Sequence, residues 1–121
     1  MKAKKIQYQR FEDLEIWKKS KELVLLAYRI SKPLKDFEFK NQITSCALSI
    51  MNNIAEGFER MTEKDYRHFL FMAKGSAGEF RSMLYIAREL SYITEDELNI
   101  LIPKAEEISK MLSGYIKSLS K

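Results

Sequence analysis

The chain has 121 residues, of which 45% are hydrophobic and 31% charged, and its formal net charge is +4. This length accommodates one domain with one core, and four glycines and two prolines are too few for a loop-rich or β-rich fold. The longest apolar run, Leu23 to Tyr28, is far shorter than the roughly 20 residues of a membrane span, and no apolar signal-peptide core follows Lys4 and Lys5. We therefore predict a single-domain cytoplasmic protein.

The positive charge is concentrated at the amino terminus. Residues 1–10 contain four basic side chains and no acid, whereas residues 11–121 hold 17 of the 21 basic residues and all 17 acidic ones. We interpret residues 1–10 as a flexible basic arm and residues 11–121 as one neutral domain. Nucleic acid would bind to the arm, or to a basic patch of the domain if its balanced charges are unevenly distributed over the surface. The candidate contacts of the arm are Lys2, Lys4, Lys5 and Arg10.

The first predicted helix runs from about Asp13 to Ser31. Acidic residues at its start suit the positive end of a helix dipole, and Pro33 ends it because the residue before a proline avoids the helical region. One apolar stripe is enough for a helix of an isolated bundle. The second stripe on this helix therefore predicts burial against a neighbouring subunit. The two stripes are Leu14, Trp17, Val24 and Tyr28, and Ile16, Leu23, Leu26 and Ile30.

The second and third helices form a predicted antiparallel hairpin. The second runs from residue 36 or 37 to residue 58, and the third from residue 63 to about residue 90, because apolar residues in both recur every three or four positions. The corner between them lies near residues 59–61, where Gly57 weakens the second helix. Thr62 and Asp65 resemble a capping box for the third helix.

The fourth predicted helix follows a capping box from Thr94 to Glu97 and extends to about Leu119. Pro103 falls inside this helix, so we expect a kink or a break there. Four helices joined by short loops predict an all-α fold, an up-and-down antiparallel four-helix bundle. The buried face of the fourth helix consists of Leu98, Leu101, Ala105, Ile108, Leu112, Tyr115 and Leu119.

A window of small residues, from Gly75 through Ser76 and Ala77 to Gly78, lies in the middle of the third helix. Each glycine there costs about 1 kcal/mol relative to alanine, so a contact should offset it. Small side chains let another helix backbone approach closely, and we interpret the window as a packing site within the subunit or between subunits, with a seat for a ligand or a phosphate as the alternative. No strand precedes the window, so it is not a nucleotide-binding glycine loop.

Four cations recur every seven residues along the third helix, which places them in one row about 31 Å long. Phe71 and Tyr85 lie one turn beyond two of them. Either the row follows a nucleic-acid backbone, or it faces solvent or acids of a neighbouring helix, such as Glu38, Glu106 or Glu107. The basic row consists of Arg67, Lys74, Arg81 and Arg88.

Polar residues flank the apolar stripe of the second helix, namely Asn52, Asn53 and Glu56. We predict that they form a buried hydrogen-bonded cluster with Arg60 or Arg81, which fixes the register of the helices. Glu56 and Glu79 are the only carboxylates that we consider as a catalytic pair, and no suitable nucleophile accompanies them.

The sequence offers no constellation for an enzyme or a metal site. A di-iron bundle needs two Glu-x-x-His pairs, and His68 is the single histidine. Cys46 is the single cysteine, and its apolar neighbours predict a small buried residue, which disfavours a catalytic pair with His68. We expect no enzymatic activity, no cofactor and no metal.

Three stretches together resemble one protein family. They read Asp13-Leu14-x-Ile16-Trp17-x-Lys19, then Gln42 followed by Ser49-Ile50-x-x-Asn53-Ile54-Ala55-Glu56-Gly57-x-x-Arg60, and Phe69-Leu70-x-x-Ala73-x-Gly75-Ser76-x-x-Glu79. Over about residues 11–118 the chain resembles the four-helix bundle proteins first noticed in intervening sequences of bacterial large-subunit ribosomal RNA genes. We assign a structural or assembly role to Trp17, Asn53, Glu56, Gly57, Arg60, Gly75, Ser76, Gly78 and Glu79.

The resemblance implies a bundle that assembles as a ring-shaped homopentamer. It also implies kinship with the accessory variability proteins of diversity-generating retroelements, which are basic pentamers that bind nucleic acid and a reverse transcriptase. Two features of this chain differ from those proteins. Thr44 and Ser45 stand where many relatives carry two arginines, and the domain is neutral.

Two functions follow as hypotheses. The first is a non-enzymatic homopentamer that binds RNA or DNA through the arm and the basic row, as an accessory of a ribonucleoprotein that includes a nucleic-acid-processing protein. The second is a protein-interaction scaffold of the same shape with no nucleic-acid partner. Convergence of the five arms and rows on one face of the ring would favour the first hypothesis.

Overall fold

Four long α-helices build the fold in the computed structural model, which describes residues 10–119. The described residues contain no β-strand, and the loops between the helices are short, as an up-and-down bundle requires. A 3₁₀ helix, Phe11–Asp13, precedes the four helices, which are α1 (Glu15–Ser31), α2 (Phe37–Phe58), α3 (Glu63–Glu89) and α4 (Glu95–Leu119).

Each helix packs on two others. Helix α2 packs on α1 and α3, and α4 packs on α3 and α1, so α1 and α3 lie diagonally across the bundle. All four helices contribute to one apolar core, because each presents a stripe of residues three or four positions apart. The largest fully buried side chains include Leu23, Ile43, Ile50, Ile54, Tyr66, Leu70, Phe80, Leu84, Leu101, Ile108 and Leu112.

The start of α1 differs from the prediction by two residues. Glu12 and Asp13 belong to the 3₁₀ helix, and Leu14 then adopts an extended backbone with its N–H donating to the Phe11 carbonyl at 3.0 Å. This turn buries the Leu14 side chain and places the centroid of the Phe11 ring 5.3 Å from that of the Trp17 ring. Burial of Leu14 accounts for the later start of α1.

The predicted caps form at the starts of α3 and α4. The Thr62 hydroxyl accepts a hydrogen bond from the Asp65 N–H at 3.1 Å. Thr94 and Glu97 form a reciprocal capping box, with bonds of 2.8 and 3.1 Å. Sequence analysis did not identify the Asp36 side chain as a cap, yet it accepts from the Phe39 N–H at 3.1 Å.

Of the kink or break predicted at Pro103, the break does not occur, because α4 continues through it to Leu119. A proline inside a helix removes one backbone hydrogen bond, the one to the residue four positions earlier. Leu101 and Ala105 are buried on either side of Pro103, which itself points outward. Packing of these neighbours keeps the helix continuous.

Both apolar stripes of α1 pack into the core of the same chain. Four of their residues are buried, and Trp17, Leu26 and Ile30 are half-buried against that core. The second stripe therefore needs no neighbouring subunit, and this step of the sequence argument was wrong. The exposed apolar residues of α1 are Leu25 and Tyr28. The buried residues of the stripes are Leu14, Ile16, Leu23 and Val24.

No helix within residues 10–119 combines the length and the apolar character that crossing a membrane requires.

Candidate nucleic-acid interface

The outward side of α3 carries aromatic and small residues that no other helix covers. Phe71 and Tyr85 are 54% and 51% exposed, although aromatic side chains in bundles usually serve the core. At 100° per residue, they share one side of the helix with Gly75, Gly78 and Ser82. We call this surface, defined by these five residues, the α3 outer face.

The basic row lies beside the α3 outer face. All four of its side chains are half-buried. Arg88 is neutralised by Glu95, because its Nε lies 2.8 Å from the Glu95 Oε1. Within residues 10–119, no ion pair joins Arg67, Lys74 or Arg81 to an acid. The structure thus leaves three unneutralised cations on the row.

None of the three acids predicted as partners of the basic row forms an ion pair with it. Glu107 pairs with Lys19 of α1 at 3.5 Å. Neither Glu38 nor Glu106 forms a salt bridge to another described residue. The one acid that neutralises a member of the row, Glu95, begins α4 and was not among the predicted partners.

The amino-terminal candidates are placed only in part. Lys2, Lys4 and Lys5 lie outside the described residues. Arg10 donates to the Glu12 carboxylate at 2.9 Å, and this hydrogen bond raises the pKa of the Arg10 guanidinium. Arg10 is therefore partly neutralised by its neighbour.

The small-residue window does not pack closely inside the chain at its two glycines. A side chain added at Gly75 or Gly78 would meet nothing within 4 Å. Ser76 and Ala77 do face the core, and the Ser76 hydroxyl lies 2.8 Å from that of Ser49 on α2. Close packing within the subunit was thus wrong for the glycines, and packing between subunits stays a prediction.

Close helix approach occurs at Gly57 instead. A Cβ built there would lie 2.9 Å from the Phe69 Cβ, 3.0 Å from the Tyr66 Cδ1 and 3.1 Å from the Tyr66 carbonyl oxygen. Any residue larger than glycine would therefore push α3 away from the end of α2. Gly57 was predicted as a weak point of the helix with a structural or assembly role, but the close approach itself was not predicted, since residue spacing does not report the distance to a neighbouring helix.

The predicted buried polar cluster is replaced by separate contacts. Half-buried Asn53 donates to the Ser49 carbonyl and hydroxyl oxygens at 2.8 and 3.0 Å. Glu56 pairs with Arg60 at 3.2 Å, and both side chains are substantially exposed. The Arg60 guanidinium also lies 4.6 Å from the centre of the Phe69 ring. Asn52 is exposed, so the polar side of α2 is a surface feature and not a buried network.

Cys46 borders an open groove of about 570 Å³ between α2 and α3. Its sulfur lies 4.0 Å from the Glu79 carboxylate and 3.8 Å from the Met83 sulfur. Partial burial, and then the Glu79 charge, raise the pKa of the Cys46 thiol, which makes it a poor nucleophile. Cys46 was predicted to be buried, and this was wrong: it is half-buried and forms part of the wall of the groove. The groove is lined by Asn41, Gln42, Ser45, Cys46, Glu79, Ser82 and Met83.

The candidate catalytic pairs are not brought together. Glu79 lies beside Cys46, which is ten residues, or about 15 Å, along α2 from Glu56. His68 is exposed and contacts the Phe69 ring. Among residues 10–119, no three His, Cys, Asp or Glu side chains cluster as metal ligands would.

A second exposed apolar surface lies on the opposite side of the bundle. Leu25, Tyr28 and Ile100 are about half exposed there. Ile100 lines a small groove of about 200 Å³ between α1 and α4, and Leu25 and Tyr28 line an adjoining groove that reaches Lys40 of α2. Cations border it, since Arg29 and Lys32 line the adjoining surface. We call this region the α1–α4 face. Sequence analysis missed Leu25 and Ile100 because both lie off the apolar stripes.

The comparisons with known proteins agree with this architecture. A solved structure described as a protein with unknown function from the S23 ribosomal protein family of Bacteroides thetaiotaomicron VPI-5482 superposes with a TM-score of 0.79. It is 26% identical, and the match covers 84% of this chain and 98% of that one. No curated protein matches the chain. The model of the 23S rRNA-intervening sequence protein family matches residues 12–114, and the chain belongs to this family.

Proposed function

We propose that this protein is a non-enzymatic, homo-oligomeric bundle that binds nucleic acid, RNA in particular, as an accessory of a ribonucleoprotein. The observation that carries the proposal is the row of Arg67, Lys74 and Arg81, which lacks ion-pair partners within residues 10–119. Cations held in a row 10 to 11 Å apart, by about 1.5 Å of rise per residue, suit a phosphate backbone. The family's association with ribosomal RNA intervening sequences supports RNA as the polyanion.

The test is the salt dependence of binding. Fluorescence anisotropy of a labelled structured RNA is measured across a salt series for the wild type and for the triple variant Arg67→Gln, Lys74→Gln and Arg81→Gln. The plot of log K against log salt has a negative slope. Each lost phosphate contact reduces the steepness of this slope by about 0.7 on a single strand and about 0.9 on a duplex. We expect weaker binding and a slope reduced by about 2.

Two controls separate the row from the arm and from general charge loss. The variant Lys21→Gln, Arg29→Gln and Lys32→Gln removes the same charge from α1 and from the residue that follows it, and it should keep the wild-type slope. A variant lacking residues 1–10 measures the contribution of the arm. Absence of RNA binding by the wild type at low salt would refute the proposal.

A protein-interaction scaffold is the second candidate. It is favoured by the exposed apolar residues of the α1–α4 face, which are unusual on a solvated helix surface. In that case the RNA experiment gives no binding, and exchange of Leu25 and Ile100 for serine abolishes capture of a protein partner without altering the fold.

A further inference from the structure

The α3 outer face repeats one arrangement of a cation and an aromatic ring. Phe71 lies four residues after Arg67, and Tyr85 lies four residues after Arg81. Side chains at this spacing are neighbours on a helix surface. The two pairs are 14 residues apart, which corresponds to about 21 Å along α3. Both rings are half exposed, and neither contacts another aromatic ring in residues 10–119.

The surface between the two rings is low and open. Gly75 and Gly78 lie there, and apart from the adjacent backbone of α3 itself, a Cβ at either position would meet nothing within 4 Å. Lys74 stands beside this gap and makes no ion pair with a described acid. A flexible polymer can therefore lie along the helix from one ring to the other and meet a cation throughout.

Charge argues against a second copy of the chain as the occupant of this face. Two α3 outer faces brought together would oppose their basic rows. The grooves of the α1–α4 face of another copy are lined by three cations, Arg29, Lys32 and Lys40, and by one acid, Glu97, so that contact would also oppose a net positive charge. Like charges placed across an interface are unfavourable, whereas a polyanion complements the row.

We infer that the α3 outer face binds single-stranded nucleic acid, with unpaired bases stacked on Phe71 and Tyr85 and phosphates on Arg67, Lys74 and Arg81. The inference rests on the proposed function and specifies its ligand. Basic grooves with interspersed aromatic rings are the usual means of holding single strands, because every base has a face that can stack. In a duplex these faces are already stacked on neighbouring bases.

The test compares a labelled 20-nucleotide oligouridine with a 20-base-pair RNA duplex by fluorescence anisotropy. The variant carries Phe71→Leu and Tyr85→Leu, which keep apolar bulk and remove the rings. Phe37→Leu at the start of α2 removes an exposed ring (66%) that lies beside Lys40 and outside both named faces, and it serves as the matched control. We expect the double variant to bind oligouridine at least tenfold more weakly, with the salt slope unchanged, since stacking involves no counterion release.

The outcomes separate this inference from the proposed function. If the wild type binds neither nucleic acid at low salt, both fail. If it binds RNA but the double variant binds oligouridine as tightly as the wild type, the stacking inference alone is overturned. It is also overturned if the double variant, folded by circular dichroism, has a smaller mass by light scattering, because the face would then be covered by another subunit.

Discussion

Gly57 is the residue at which a single methyl group should matter most. The Cβ of alanine there would meet the Phe69 Cβ and the Tyr66 carbonyl oxygen, neither of which can move unless α3 moves. Overpacking at such rigid contacts costs up to about 3 kcal/mol, while alanine gains about 1 kcal/mol in helix propensity. We expect Gly57→Ala to lower the free energy of unfolding by about 2 kcal/mol in urea denaturation.

Gly75→Ala provides the matched comparison, because it makes the same change where a Cβ meets nothing within 4 Å. Alanine should there stabilise the chain by about 0.5 to 1 kcal/mol through helix propensity alone. Equal effects of the two substitutions would show that neighbour distance does not distinguish these glycines.

Helix α3 ends just before Ser91 in a way that the type of this residue does not indicate. Ser91 has a φ of +61°, in the left-handed region that serine rarely adopts. The Tyr92 N–H donates to the Ala87 carbonyl at 2.8 Å and the Ser91 N–H to the Arg88 carbonyl at 3.0 Å, which is the hydrogen-bond pattern of a Schellman motif. Glycine is the usual signal for such an ending, so the sequence did not indicate it.

At the scale of the elements, the loop before α2 is tied to the loop before α4. The Tyr92 hydroxyl donates to the Asp36 carboxylate at 2.7 Å, and the Tyr92 ring packs against Phe39. This hydrogen bond, together with the one from the Phe39 N–H, lowers the pKa of Asp36. The carboxylate in turn raises the pKa of Tyr92.

These shifts predict a pH-dependent difference between the wild type and Tyr92→Phe. Because the pKa of Asp36 is lowered in the folded state, its stabilisation is present above about pH 4 and is lost as the pH falls through its folded value. The raised pKa of Tyr92 adds stability that is lost only above about pH 10. We expect urea midpoints of the two proteins to differ at pH 7 and to converge toward pH 3.

The variant retains the ring on Phe39, so packing loss does not confound the comparison. Tyr28→Phe is the control, because the hydroxyl of this exposed tyrosine makes no described hydrogen bond, and it should match the wild type at both pH values. A Tyr92→Phe midpoint that stays equally far below the wild type at pH 3 would contradict the assignment to the Asp36 hydrogen bond.

The positions of the helices were largely predictable from the sequence, whereas the contacts that each helix makes with its neighbours were not. Apolar spacing placed α2, α3 and α4 within about a residue of their ends, because burial of one stripe is a local property of the sequence. The open glycines of α3, the close approach at Gly57 and the separate contacts of Asn53 and Glu56 depend on which residues another helix presents. The periodic pattern of one helix contains no information about the distance to the residues of the next helix.

At the scale of the whole molecule, homopentamer formation is a prediction from the family resemblance. Light scattering at micromolar concentration should then report five times the 14.3 kDa mass of one chain. Replacing Leu25 and Ile100 by serine should reduce this mass if the α1–α4 face joins subunits, because burial of exposed apolar area drives association. Met61→Ser, at a 95% exposed apolar residue in the corner between α2 and α3, is the matched control outside that face. A wild-type mass of one chain would contradict the ring.

If α3 binds RNA as proposed, the ion pair between Arg88 and Glu95 limits the length of RNA that one subunit protects. It removes the last cation of the row, so the strand held on α3 should be displaced toward the corner between α2 and α3, where the amino-terminal end of the helix dipole is also positive. The footprint is then short and off-centre, near the lower end of the roughly 4 to 16 nucleotides typical of single-strand sites. Tight retention of a longer RNA would come from several subunits sharing one strand, and thus from avidity.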